Sequence, residues 1–416
     1  LPHGSKVVVL LPSWPNIPAV QRIMGAKVEG VPIGMKNGKW NLDMEQVFDA
    51  CDSNTSAIII NSPNNPSGWT MSHQEQKTLL EFTRKKGIWI VSDEVYARIV
   101  YGMAHAPSFL EYADADDRLI VVNSFSKPWA MTGWRLGWLT TPSGLGERLE
   151  MLNEFNIAGP ATFVQLAGIT ALKEGEGFIA DQVSRYERAR DLVFQRLAGN
   201  PRVRIGWPQG AFYGFEEVYD LARLDYRGPP FGWWDLNDQF ALARIDALEV
   251  VAQPRRPLFV FFPTVTTHAP FVPTPPYQPD WARMLTPSPY DSSDLDLAWL
   301  DYPDWLNLGP SYVKALRYAY RTIGGYLRYR AERDFILILV GDHQPPALVS
   351  GEGASWDVPV HIVASRFQVL DRLRRHRFVD GLVPPSPIVA RMDTLLPILL
   401  DAFGVRGNDE SVESLE

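Results

Sequence analysis

Cysteine is almost absent from this chain. One thiol, Cys51, occurs in 416 residues. That excludes an internal disulfide and any cysteine-rich zinc site, and a lone thiol of this kind is expected buried or half-buried as a small apolar group. Long apolar runs are also missing. None reaches the ~18–20 residues of a membrane-spanning helix, and Leu258–Phe262 and Phe335–Val340 are only strand-length. No basic segment followed by an apolar core opens the chain, so no signal peptide and no membrane span are expected, and the expected location is cytoplasmic. The chain starts on Leu1 rather than methionine and reads as beginning inside something longer. An excess of positive charge is lacking as well: the net charge is −8, which gives no electrostatic reason to expect nucleic acid as a partner. No internal repeat is visible.

What is present fits a soluble globular chain, with 46% hydrophobic and 21% charged residues. At roughly 150 residues per domain the length predicts two or three domains. From Ser5 to about Val218, short β-branched runs alternate with helical stretches. The runs are Lys6–Leu10, Ala57–Ile60, Ile88–Val91 and Leu119–Val122. One helix is predicted over Ser72–Lys86, with Ser72 as cap and Glu75 three residues on; another is predicted over Phe178–Leu197. Strands alternating with helices predict an α/β layer fold with a mostly parallel sheet and helices on both faces. From Tyr226 to Tyr302 proline and aromatic residues dominate, which predicts long loops. Strand-like runs return at Leu258–Phe262, Phe335–Val340 and Val358–Val363, with a helix predicted over Tyr312–Arg330. The boundary falls near Glu217–Asp225. The predicted organisation is therefore 1–218, 219–406 and an acidic, disordered tail at 407–416.

Three polar groups each follow a predicted strand in the first part. They are Asn61-Ser62-Pro63-Asn64-Asn65-Pro66-Ser67-Gly68, then Ser92-Asp93-Glu94-Val95-Tyr96, then Ser124-Phe125-Ser126-Lys127 with Gly133-Trp134-Arg135 beyond. Singly, an Asn-Pro pair is a turn, an aspartate after a strand is a helix cap and a lysine is solvated. Together they share the carboxyl-terminal edge of the strands, where an open α/β sheet binds ligands.

In order and spacing these groups resemble the fold-type I pyridoxal-phosphate enzymes, specifically the class I/II aminotransferases, over about residues 4–216. Pro12-Ser13-Trp14-Pro15-Asn16 and Pro208–Tyr213 extend the likeness. The resemblance implies an aminotransferase that moves an amino group between an amino acid and a 2-oxo acid, with a homodimer as candidate assembly. By the same resemblance Lys127 holds pyridoxal phosphate as a Schiff base and carries protons. Asp93 pairs with the pyridinium nitrogen, and Asn65 and Tyr96 bond the 3-hydroxyl. Trp14 stacks on the ring, and Ser124 and Arg135 bind the phosphate. Gly133 is expected to let the backbone turn in front of Arg135. Tyr101 and Trp129 are expected to pack. Relative to that family the region reads as incomplete at both ends.

A second pattern comes later: Thr266-Thr267-His268-Ala269-Pro270 after one predicted strand, and Gly341-Asp342-His343-Gln344-Pro345 after another. An Asp-His pair at a strand end suits a metal; it equally suits a structural turn with a satisfied histidine. With Trp356–Val360 the pattern resembles the sulfatase and alkaline-phosphatase superfamily, including lipoteichoic-acid-synthase-like phosphotransferases, over about 219–404. That resemblance implies a second α/β region in which Asp342 and His343 ligate a divalent metal ion and His268 contacts the transferred or leaving group. His361 is expected to pack along a strand. Three readings stand together: an aminotransferase through Lys127, a metal-dependent hydrolase or phosphotransferase through the second half, and a non-catalytic fusion of two incomplete domains.

Overall fold

The computed structural model describes residues 4–36, 38–198, 206–213, 219, 221–232, 235–251, 258–385 and 388–403. The acidic segment 407–416 lies outside them. The chain divides into two compact units, Leu1–Tyr226 with Ile245–Phe259, and Arg227–Arg244 with Val260–Glu416.

The first unit is built on a seven-stranded sheet. Its strands are β1 (Lys6–Leu11), β2 (Lys27–Lys36), β3 (Lys39–Leu42), β4 (Thr55–Asn61), β5 (Trp89–Asp93), β6 (Leu119–Ser124) and β7 (Gly137–Thr140), in the spatial order β3-β2-β1-β4-β5-β6-β7. The β2, β1, β4, β5 and β6 strands run parallel, and the outer strands β3 and β7 are antiparallel. Central parallel strands are covered on both faces, so their sequences are continuous apolar runs. In β1, Val8 and Leu10 face one core with Ile58, Ile60 and Ile90, while Val7 and Val9 face another with Ala57 and Ile59.

Helices α2 (Met44–Asp49) and α3 (His73–Lys86) contribute Val47, Leu79 and Leu80 to the first core, and Ile17 of α1 (Asn16–Ile23) packs on the second. Helices therefore lie on both faces. The start of α3 is a complete capping box: Glu75 N–H donates to the Ser72 side chain, and the Glu75 carboxylate accepts from Ser72 N–H at 2.7 Å. Gly87, at φ 67°, ends it. Three further helices follow the sheet: α4 (Gly146–Asn156), α5 (Thr162–Glu174) and α6 (Glu176–Ala198). Phe155, Phe163 and Leu166 on α4 and α5 are largely exposed.

The second unit has a two-stranded antiparallel sheet, β8 (Ile336–Val340) with β9 (Val360–Ala364). The predicted helix at Tyr312–Arg330 forms as Gly309–Tyr329, and helices also form at Asp238–Ile245 and Ser292–Trp299 within the segment expected to be all loop. The strand expected at Leu258–Phe262 is absent. Those residues form no regular secondary structure, and Phe259 and Phe261 are exposed. A short apolar run alone is an ambiguous strand signal.

Candidate active site

β4, β5 and β6 are neighbours, so the loops after them emerge side by side. Register places Asn61 opposite Asp93, and Asp93 opposite Val122. The Asn61 side chain welds two loops together: its Oδ1 accepts from Asn65 N–H at 2.7 Å and its Nδ2 donates to the Asp93 carbonyl at 3.2 Å. Asn64, fully buried, accepts from Ser67 and donates to the Pro12 carbonyl at 3.2 Å. That bond ties in the loop carrying Trp14, whose ring is half exposed.

The Asp93 carboxylate sits in this edge with one short-range partner, the backbone N–H of Val95 at 3.3 Å. Burial pushes its carboxyl up to about 6. Among the described residues no basic side chain forms an ion pair with it. Behind it, Glu94 is buried, accepts from Ser92 Oγ at 3.0 Å and is pushed by burial to about 7.

Tyr96 is almost wholly buried. Its hydroxyl lies 2.9 Å from that of Tyr213, and Asn65 faces the same oxygen. Burial holds the Tyr96 phenol well above its ordinary range. Lys127 Nζ lies 5.8 Å from the centre of the Tyr96 ring and 5.9 Å from that of Phe212. Its backbone is fixed from α6, where Gln182 Nε2 donates to the carbonyls of Lys127 and Pro128 at 3.1 and 3.3 Å. The structure therefore brings Asn65, Asp93, Tyr96 and Lys127 to one sheet edge.

Ser124 and Arg135 are placed differently. Ser124 Oγ accepts from Ser126 N–H at 3.1 Å, half-buried at the end of β6. Arg135 is exposed, and its Nη1 donates to the Thr132 carbonyl at 3.0 Å. The expected role of Gly133 does not hold. A Cβ there would meet open space, and the left-handed turn is taken by Arg135 itself at φ 52°. Tyr101 and Trp129 pack as expected, the phenol donating to the Ala211 carbonyl at 2.5 Å and the indole to that of Ala171 at 2.8 Å.

Segment 206–213 closes the site. Gln209 and Gly210 donate from their backbones to the Gly68 carbonyl, Gln209 Oε1 accepts from Thr70 N–H, and Ala211 N–H donates to Ile99. The fit requires glycine: a Cβ on Gly210 would lie 2.8 Å from Pro63 Cβ and 3.0 Å from the Ile99 carbonyl. Asn61, Gln182, Phe212 and Tyr213 are the site residues that sequence reasoning left without a role. Asn61 opens the first strand-end motif and Phe212 and Tyr213 lie in the Pro208–Tyr213 motif, while nothing in the sequence signalled Gln182.

In the second unit Asp342 and His343 are exposed and spend their polar groups locally. Asp342 Oδ1 accepts from His343 N–H at 2.9 Å, Nδ1 of His343 donates to the Gln344 carbonyl at 2.8 Å, and the two side chains stand 3.5 Å apart. His268 is exposed, its Nδ1 donating to the Ala269 carbonyl at 3.0 Å. Among the described residues no three His, Cys, Asp or Glu side chains group to hold a metal ion. A divalent metal needs four or more donors, so this geometry does not favour the metal-dependent reading. His361 lies along β9 and bonds the Leu382 carbonyl. No helix of the described residues is long and apolar enough to cross a membrane.

The family profile described as Aminotransferase class I and II matches residues 1–258. The chain is similar to the probable aspartate/prephenate aminotransferase of Aquifex aeolicus, 34% identical over 53% of this chain and 57% of that protein. It is also similar to the aspartate aminotransferase of Pyrococcus horikoshii, 32% identical over 52% and 56%. Among solved structures it is similar to a double mutant of Thermus thermophilus aspartate aminotransferase, at 30% identity and a TM-score of 0.48, covering 51% of this chain and 56% of that one. The chain spans about half the length of the curated relatives it matches. By the extent of the family match, which covers the whole sheet and the site at its edge, this chain belongs to the class I and II aminotransferases.

Proposed function

We propose that the chain binds pyridoxal phosphate through Lys127 and transfers an amino group between an amino acid and a 2-oxo acid. The observation that carries this reading is the convergence of the Lys127 amine, the Tyr96 phenol and the Asp93 carboxylate at the ends of β5 and β6. The residues fit the cofactor. Asp93 is a buried carboxylate without a cationic partner among the described residues, and burial raises the cost of its charge. A pyridinium N–H beside it would relieve that cost. When bound, the cofactor supplies an electron sink for the substrate carbanion.

The protein's own groups do the rest. Lys127 Nζ accepts and returns a proton at the substrate α-carbon, on a half-buried side chain beside the paired rings of Tyr96 and Phe212. Asp93 holds the proton on the ring nitrogen. Asn65 and Tyr96 bond the phenolic oxygen, Trp14 covers the ring, and Ser124 and Arg135 take the phosphate, the arginine by a charge-assisted fork. A second copy of the chain is the partner this reading takes, supported by the exposed apolar side chains of α4 and α5.

The test is chemical. Incubation with pyridoxal phosphate followed by borohydride is expected to fix one pyridoxyl group on the peptide containing Lys127, read by mass. Lys127→Ala is expected to lose it. Fixation elsewhere, or none in the wild type, overturns the reading.

A further inference from the structure

We infer that Tyr213 is a positioning residue that sets the hydrogen-bond polarity of Tyr96. The inference rests on the cofactor reading of the Lys127 site and deepens it. A phenol has one hydrogen to give and two lone pairs to accept with. The Tyr96 hydroxyl is buried and lies 2.9 Å from the Tyr213 hydroxyl. The rings meet edge to face at 6.0 Å. If Tyr96 gave its hydrogen to Tyr213, it would have only lone pairs to offer a phenolic oxygen of the cofactor, and two acceptors would face each other. With Tyr213 donating, the Tyr96 O–H is released to donate into the site, and a hydroxyl that accepts one bond donates the next more strongly. The Asn65 side chain bonds the same Tyr96 oxygen, which again takes the acceptor's part.

Tyr213 is well held for this work. Its segment is pinned by the Ala211 N–H to Ile99 bond at 2.8 Å, just beyond the loop that carries Tyr96, and by the Gln209 and Gly210 bonds to Gly68, just beyond Asn65. The segment thus docks on both loops whose side chains meet at the Tyr96 oxygen. Phe212 beside it packs edge-on against the Tyr96 ring, with centroids 5.5 Å apart.

The experiment is a double-mutant cycle in pyridoxal phosphate affinity, using wild type, Tyr96→Phe, Tyr213→Phe and the double variant. Both substitutions keep the rings, and thermal melting of each protein without cofactor checks the fold. Tyr213→Phe is expected to weaken binding about fivefold, the loss of one hydrogen bond. The same substitution in the Tyr96→Phe background is expected to change nothing, because Tyr213 acts only through Tyr96. The pH at which the bound cofactor's visible absorbance changes is expected to move upward in Tyr213→Phe and not between the two variants lacking the Tyr96 hydroxyl. Additive effects, or equal affinity of wild type and Tyr213→Phe, overturn this inference and leave the cofactor site standing. Absence of binding by the wild type overturns both.

Discussion

Replacing Asp93 by asparagine should make the cofactor-free protein more stable at neutral pH. The carboxyl is pushed by burial from its ordinary value to about 6, and the Val95 N–H bond opposes this only in part. A displacement of about two pH units corresponds to about 3 kcal/mol between the charged and neutral forms. The folded state keeps this proton in a pH range where the unfolded chain has lost it. The favourable contribution is therefore fully present below about pH 4 and is lost as pH rises through about 6. Asparagine keeps the shape and the acceptor for Val95 but carries no charge to bury. The variant and the wild type should match near pH 4 and diverge until, above about pH 7, the variant is ahead by up to about 3 kcal/mol. Glu94 titrates beside it, is pushed to about 7 mainly by burial, and is present in both proteins. The Asp93 charge raises Glu94 a little further, so its loss in the variant adds to the difference in the same direction. Urea unfolding followed by far-ultraviolet circular dichroism from pH 4 to 8 measures this, and the second unit cancels in the comparison. Saturating pyridoxal phosphate should reverse the order, since the wild type binds it more tightly. Parallel curves from pH 5 to 8 without cofactor, or a less stable variant at pH 8, would refute the argument.

Two other outcomes follow from packing. Gly210→Ala must push against Pro63 and the Ile99 carbonyl, and should cost about 1–3 kcal/mol while lowering pyridoxal phosphate affinity, both readable by thermal melting with and without cofactor. Cys51 is half-buried, donates to the Val47 carbonyl at 3.2 Å, and is pushed to about 11 by burial against the opposing charge of Lys6. Its labelling by a thiol reagent at neutral pH should be on the order of 100-fold slower than that of a free cysteine, and comparable rates would contradict the burial.

The sheet was legible in part because of how it is buried. β1, β4, β5 and β6 are covered on both faces, so each is a run of β-branched residues visible without any structure. β2 and β3 were not anticipated. Gly30, Pro32 and Gly34 interrupt β2, leaving only Val31 and Ile33 buried in the core, so no continuous apolar run marks it. Leu258–Phe262 fails in the opposite sense, having strand-like residues and forming no strand. At the site, Asn65, Asp93 and Lys127 could be named because they follow strands and because their order resembles a known family. Gln182 and Tyr213 could not, since their roles depend on bonds that span 55 and 117 residues of chain. Asp342 and His343 show the reverse case, where a chemically suggestive pair turns out to satisfy itself within one turn.

The Gln209 clasp gives this pocket an order of events. Thr70 is made 139 residues before its partner, which at a synthesis rate of about 10 residues per second is a delay of more than about 10 s. Until then the Thr70 N–H and the Ile99 carbonyl have no chain to close them, and the wall bearing Phe212 and Tyr213 does not exist. Ribosome-bound chains stalled before Gln209 will hold the lysine and the aspartate in an open trough. Closure of that wall thus marks, on a growing chain, the moment at which this pocket is finished, ahead of the residues 245–259 that complete the first unit.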